Sequence, residues 1–271
     1  MKDAIALYPL FAFLALRFAI ASLTLAVPAA PRIASLGAQG LRAAVLLGLL
    51  LAGGYGLQTA GLARTTVSSA GFVTGMYVIL TPLVGFALFR VRVTRAVWIG
   101  VALALAGLAM LSGVAVGSPV GDALVLGGAA CYALQIVLLE RYAPRHDPIA
   151  FTLVEMLAAL VAFGALAVAL GELAMPRGWT VWGALVVTGV FASALAYLVQ
   201  TWAQRRTSAT QTAMIFALEP VFAGIFGYAL AGDRLGLLGW AGCGVILAGI
   251  VLAEPAAGRA LAQLVPTGRR A

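Results

Sequence analysis

Apolar residues run through this chain in blocks of about twenty, separated by short links rich in Pro, Gly and Arg. Nine blocks can be drawn, at about 9–28, 43–63, 69–89, 96–116, 121–140, 149–170, 179–203, 209–231 and 235–253. As helices rising about 1.5 Å per residue, each reaches the ~30 Å of a bilayer's hydrocarbon. The pattern predicts an all-α integral membrane protein with nine transmembrane helices. Links such as Pro28–Arg32, Gly117–Gly121 and Pro144–Pro148 leave no room for a soluble domain. The last stretch, 255–271, is expected to be a polar, basic tail.

Composition agrees. Of 271 residues, 63% are apolar and 10% charged, the balance of a chain dissolved in lipid. The net charge of +8 does not predict nucleic-acid binding, because the basic residues sit in links between blocks. Counted over alternate links, Lys and Arg number 12 on one side and 4 on the other, which predicts a cytoplasmic C-terminus. Cys131 and Cys243 fall inside blocks and read as small packing residues. His146 is the only histidine, so neither a metal site nor a cofactor is expected. Met1-Lys2-Asp3 leads straight into a full-length block, so no cleavable signal peptide is expected.

The two halves repeat. Y-x-x-Q-T occurs at Tyr55, Gln58, Thr59 and again at Tyr197, Gln200, Thr201. Leu80-Thr81-Pro82 answers Leu218-Glu219-Pro220, and Leu105-Ala106-Gly107 answers Leu247-Ala248-Gly249. Pro9 opens the first block as Pro148 opens the sixth, and at the same offset of 139 Lys2 answers Arg141. A whole block, Asp122 to Leu139, precedes Arg141, whereas nothing precedes Lys2. One amino-terminal helix is therefore expected to be missing, and translating the gene upstream of Met1 tests this. With it restored each half has five spans, and an odd number sets the halves in opposite senses across the bilayer. The expected organisation is two inverted five-helix repeats, four helices present in 1–116 and five in 117–254. Inverted repeats recur in secondary transporters, with the binding site near the midplane.

Several segments together carry a family resemblance. They are the Pro-initiated block containing Arg17, Ala-Gln-Arg-Arg-Thr-Ser-Ala at 203–209, A-L-E-P at 217–220, Gly-Asp-Arg-Leu at 232–235 and both L-A-G stretches. In this order they resemble the drug/metabolite transporter superfamily, EamA type, over essentially the whole chain. The resemblance implies ten helices in two inverted halves, and export or exchange of small metabolites across the cytoplasmic membrane. The chain is expected to depart from that family by lacking its first helix, which would line the central cavity. It also carries Asp233 where the family usually has glutamate, and Arg90-Val91-Arg92 at the matching place in the first half.

Candidate chemistry lies in the polar residues within blocks. Tyr55 with Gln58, and Tyr197 with Gln200, are spaced i, i+3 and share a helix face. They could line a hydrogen-bonding cavity, or hold helices together as buried Gln and Tyr do. Thr74 with Tyr77, and Tyr132 with Gln135, form two more such pairs. Pro220 should kink its helix and free the carbonyl of Phe216 beside Glu219, and Pro82 is its counterpart. Glu219 and Glu155 are the only carboxylates deep in blocks, and Arg17 the only deep base. A charge at that depth costs about 2.5–3.5 kcal/mol on insertion scales. These groups are expected either to couple protons or cations, or to pair structurally. Gly71 and Gly75 form a G-x-x-x-G expected to pack helices closely, and Trp98, Trp179, Trp182 and Trp240 sit near block ends, as interface anchors do.

The expected partners are a small-molecule substrate and the lipid bilayer, with no nucleic acid. H-E-x-x-H, G-x-S-x-G, a P-loop and paired intramembrane aspartates are all missing, so an embedded enzyme lacks its parts. A sensor or scaffold is the other alternative, but the chain lacks a soluble output domain. The leading expectation is a secondary transporter working by alternating access.

Overall fold

The computed structural model describes residues 8–113, 117–226, 229 and 236–253, and among these every regular element is helical. Seven segments are long and apolar enough to cross a membrane, and Leu237–Ala253 is a shorter apolar helix. The first two expected blocks form one helical segment, Leu10–Leu62. Within it α1 (Leu10–Ala29) passes through a 3-10 turn, Ala30–Leu36, into α2 (Gly37–Leu62). Gly37 joins them at φ +58°, ψ −178°, a region open essentially only to glycine. The remaining helices are α3 (Val67–Gly75), α4 (Tyr77–Phe89), α5 (Arg95–Ser112), α6 (Pro119–Tyr142) and α7 (Pro148–Ala169). They are followed by α8 (Trp179–Gly189), a π-helical turn (Val190–Leu195), α9 (Ala196–Ala203), α10 (Ala209–Phe216), α11 (Glu219–Phe226) and α12 (Leu237–Ala253). The Gly232–Leu235 turn and the tail lie outside the described residues.

The chain forms two compact units, each drawing on both halves of the sequence. One contains residues up to Tyr55 with Leu138–Thr207. Its core sets α1 against α7, with Phe18 stacked on Phe163 at 5.6 Å between ring centroids. Lipid offers apolar surface as readily as a neighbouring helix does, so close van der Waals fit has to supply the specificity. Gly48 provides it, because a Cβ there would stand 2.3 Å from the Glu155 carbonyl oxygen. The start of α1 is closed from a distant link: the Phe11 N–H donates to Glu172 Oε2 at 2.8 Å, and the Tyr8 hydroxyl donates to the Ala174 carbonyl. Asp147 caps α7, its carboxylate accepting from Ile149 N and Ala150 N at 3.0 Å each.

His146 precedes that cap. Its ring stacks on Phe151, lies against Gly40, and leaves a buried Nε2 without a hydrogen-bond partner among the described residues. Burial, then the adjacent Arg145, pushes its pKa below the ordinary 6.5. The fold thus favours the neutral ring. That contribution to stability is present above pH 6.5 and is lost as pH falls through the depressed value. Acidification from pH 7 to 5 is expected to lower the thermal midpoint of the detergent-solubilised protein, and less so in His146→Phe. Equal acid sensitivity of both proteins would refute this.

The second unit contains Gly56–Val137 and the chain from Ser208 onward. Its core gathers Val78, Ala104, Leu108, Ala133, Met214 and Ile246. Hydroxyl caps start its helices: Thr66 accepts from Ser69 N at 3.1 Å, and Ser208 with Gln211 forms a reciprocal capping box. Helices α5 and α12 cross with backbone close to backbone. A Cβ on Gly100 would lie 2.5 Å from the Gly249 carbonyl oxygen, and one on Gly107 would lie 2.6 Å from that of Gly242. Of the G-x-x-x-G pair, Gly75 packs on Leu108, but Gly71 has nothing within 4 Å.

The two spans that carry Pro82 and Pro220 are each interrupted. In the second half the break falls at Ala217 and Leu218, so Pro220 sits in the first turn of α11. In the first half it falls at Met76, between α3 and α4, and Pro82 lies inside the continuous helix that follows. The two breaks are related by the offset of 142 that relates the Y-x-x-Q-T motifs, not by the 138 that relates the prolines.

Candidate functional site

Each unit holds a polar cluster within its apolar helices. In the first, α1 carries Arg17, which is only 4% exposed. Its Nε donates to Ser193 Oγ at 2.6 Å, and its Nη2 donates to the Ala192 carbonyl at 3.1 Å and the Tyr55 hydroxyl at 3.2 Å. The guanidinium also lies over the Tyr55 ring, 5.1 Å from its centroid. Ala192 and Ser193 belong to the π-helical turn, whose widened backbone turns a carbonyl and a hydroxyl toward the arginine. Gly189 permits the approach, since a Cβ there would meet Ile20 and, at 3.0 Å, the Arg17 carbonyl oxygen. The Tyr55 and Tyr197 hydroxyls stand 3.2 Å apart. A charge that is costly in lipid is therefore met by three oxygens and an aromatic face.

The other polar groups of this unit pack separately. Gln200 is buried and its Nε2 donates to Gln204 Oε1 at 3.0 Å. Thr152 donates to Thr201 at 3.0 Å. Glu155 is fully buried on α7, where Gly48 of α2 crosses its backbone.

In the second unit Gln58 is the hub. Its Nε2 donates to Thr74 Oγ1 at 3.0 Å, and its Oε1 accepts from the Tyr132 hydroxyl at 3.0 Å. Three helices (α2, α3 and α6) are joined by one amide using both its donor and its acceptor. Tyr77, opening α4, and Gln135, on α6, are buried, whereas Phe216 is half-buried and Glu219, opening α11, is exposed. The hydroxyls of Tyr55 and Tyr197 thus come together, while Gln58 and Gln200 take different local partners.

Sequence reasoning missed three participants. Ser193 lies in an apolar run with nothing to mark it. Gln204 lies in the arginine-bearing link after the seventh block, outside the apolar runs. Asp122 gathers a hydroxyl cluster, accepting from Thr65 Oγ1 at 2.6 Å and Ser69 Oγ at 2.7 Å, while Thr65 Oγ1 accepts from Ser118 N at 3.2 Å. The signal for this cluster was the Thr65-Thr66-Val67-Ser68-Ser69 run beside a first-turn aspartate.

Residues 1–113 and 119–253 match the EamA-like transporter family. The chain belongs to that family. An EamA-family identity agrees with the absence of enzyme motifs and with the apolar helices that fill the sequence. The chain is 30% identical over 199 residues to an uncharacterized transporter of Archaeoglobus fulgidus, a match covering 73% of this chain and 64% of that protein. It is 31% identical over 218 residues to the uncharacterized inner membrane transporter YedA of Escherichia coli K12, covering 78% and 70%. The match thus spans a little under two thirds of the archaeal relative's length. A solved crystal structure superposes with a TM-score of 0.81 at 19% identity, covering 96% of this chain and 92% of its own, and at that identity it speaks for the fold alone.

Proposed function

We propose that this EamA-family protein is a secondary transporter that exports or exchanges a small organic metabolite by alternating access. Its site on the bilayer and its sense follow the same reading: a multi-pass protein of the cell inner membrane with its C-terminus in the cytoplasm. The observation that carries the proposal is the set of hydroxyl, amide and guanidinium groups held within membrane-length helices at Arg17, Tyr55, Tyr197, Gln58, Thr74 and Tyr132. Polar groups at such depth are retained where they bind or pass a solute.

The organisation behind it is a pair of inverted repeats, with nine spans in this chain at 1–116 and 117–254. Reciprocal contacts support this. The offset of 142 relates Gly100 to Gly242 and Gly107 to Gly249, yet in space Gly100 meets Gly249 and Gly107 meets Gly242. Exchange of partners in this way is what a two-fold axis lying between antiparallel equivalents produces. The Tyr55–Tyr197 hydroxyl contact, again between residues 142 apart, is what a position close to such an axis gives.

The substrate surface comprises Tyr55, Gln58, Thr74, Tyr77, Tyr132, Gln135, Tyr197, Gln200, Phe216 and Glu219. Proton coupling is assigned to Glu219, in the first turn of α11, with Glu155 as the alternative coupling group and Arg17 as a structural charge. Uptake of candidate solutes into inverted vesicles, with and without an imposed proton gradient, tests the function directly. Glu219→Gln is expected to retain transport and to lose its dependence on the gradient. An unaltered response to the gradient would remove Glu219 from the coupling role.

A further inference from the structure

The first unit carries a cleft of about 120 Å³ lined by Pro144, Trp202, Arg205 and Arg206. None of these residues belongs to the polar clusters above. The walls are fixed by backbone. The turn bearing the arginines is held by Gln204 N to Gln200 O at 2.8 Å, Arg206 N to Ala203 O at 2.9 Å and Thr207 N to Ala203 O at 3.1 Å. It is anchored beneath by Gln204, 1% exposed and bonded to Gln200. Opposite, Pro144 sits in the 3-10 turn Ala143–Arg145, whose first residue is fully buried.

The charge is one-sided. Both guanidiniums are exposed and neither has a side-chain partner among the described residues. Asp147, the acid of the neighbouring link, is turned to its own helix cap and to Arg32, 3.7 Å away. Two planar forks of N–H donors beside one cavity match the oxygens of a phosphate group, which arginine takes up bidentately. Trp202 is 58% exposed at the end of a membrane-length segment. An indole there sits at headgroup depth and can add one N–H donor. The cavity has room for a few waters at about 30 Å³ each, and so for one phosphate group in their place.

We infer that this cleft binds a phosphate group, carried either on the headgroup of an anionic phospholipid or as soluble phosphate. It is a site separate from any transported substrate, and it does not depend on the transport reading.

Titration of the purified full chain in neutral detergent tests the inference, with the thermal midpoint as readout. The probes are phosphatidylglycerol, phosphatidylcholine and inorganic phosphate. Saturable stabilisation by phosphatidylglycerol, weaker by tenfold or more in the Arg205→Gln/Arg206→Gln double variant, is expected from the loss of two charged contacts near the headgroups. Arg92→Gln, which removes an exposed charge from another link, should bind as the parent does. Pro144→Phe, which fills the cleft and leaves its charge alone, should weaken binding as the double variant does. Saturation by inorganic phosphate alone, with no further gain from phosphatidylglycerol, would support the site and identify soluble phosphate as its ligand. Any one of three results overturns the inference: undiminished binding by the double variant, undiminished binding by Pro144→Phe, or an equal loss in Arg92→Gln. Failure of all the probes to stabilise the parent protein does the same.

Discussion

Arg17→Leu is expected to lower the stability of the detergent-solubilised protein by about 3 kcal/mol, the scale on which removing one partner from a buried charged network acts. Two effects act in the same direction. Leucine relieves the lipid cost of an unsatisfied arginine in the separated helices, about 2.5–3.5 kcal/mol on insertion scales. It also forfeits the donors that Ser193, Ala192 and Tyr55 receive in the folded unit. Neutral side-chain bonds between membrane helices average only about 0.6 kcal/mol, but these carry a charge and a short 2.6 Å contact among them, which favours the higher range of about 1.5–3 kcal/mol. Arg17 therefore stabilises the folded unit and destabilises the separated helices, and leucine removes both contributions. The π-helical turn loses its tether as well, so transport should fall further than stability. Arg17→Lys keeps the charge but not the fork, and should fall between the two. An unfolding transition unchanged in Arg17→Leu would show that the network contributes nothing net.

The second large effect is expected at the crossing of α5 and α12. Gly107→Leu places a branched side chain where even a Cβ would lie 2.6 Å from the Gly242 carbonyl oxygen and 2.8 Å from Ile246. Both of those obstacles include backbone, which cannot rotate aside. The helices must separate, and a loss of folded protein is expected on extraction into detergent. Gly107→Ala should cost about 1–3 kcal/mol, the usual range for overpacking. Gly164→Ala supplies the contrast. Its Cβ meets nothing within 4 Å, and alanine is the better helix former by about 0.5–1 kcal/mol. Chemical or thermal unfolding of the three variants, followed by size-exclusion profiles, measures the difference. Similar stability of Gly107→Ala and Gly164→Ala would refute the reading of the crossing.

The membrane spans were legible because each is a long apolar run, and lipid requires every backbone group in it to be paired within the helix. Arg17 was legible for the same reason, as a base where apolar residues are the rule. Its partners were not. Val190 to Leu195 reads Val-Phe-Ala-Ser-Ala-Leu, an ordinary apolar stretch that does not announce the π-helical turn, which follows Gly189 where α1 comes close. The breaks show a different limit. Pro220 marked one of them within three residues, but Pro82 pointed six residues beyond the break at Met76. Pro82 removes the N–H that would reach the Val78 carbonyl, yet the helix runs on through it, with Thr81 donating to the Tyr77 carbonyl at 2.7 Å beside that gap. The tyrosine–glutamine motifs foretold which residues are polar partners in kind, not which would meet. Tyr55 reaches Tyr197, whereas Gln58 is taken by Thr74 and Tyr132 from its own half and the next.

The weaving of the chain between its two compact units sets the order in which a ribosome can complete it. The unit that begins with α1 needs Leu138–Thr207, and the other needs residues from Ser208 to the last helix. Phe13 and Phe18 enter the bilayer well over a hundred residues before Phe163 and Leu185 are made. At about 5–20 residues per second, α1 waits on the order of 10–30 s without its neighbours. During that interval Arg17 must be sheltered by the insertion machinery or by water at the protein's edge, so early helices of this kind are where nascent chains are most exposed to quality-control proteases.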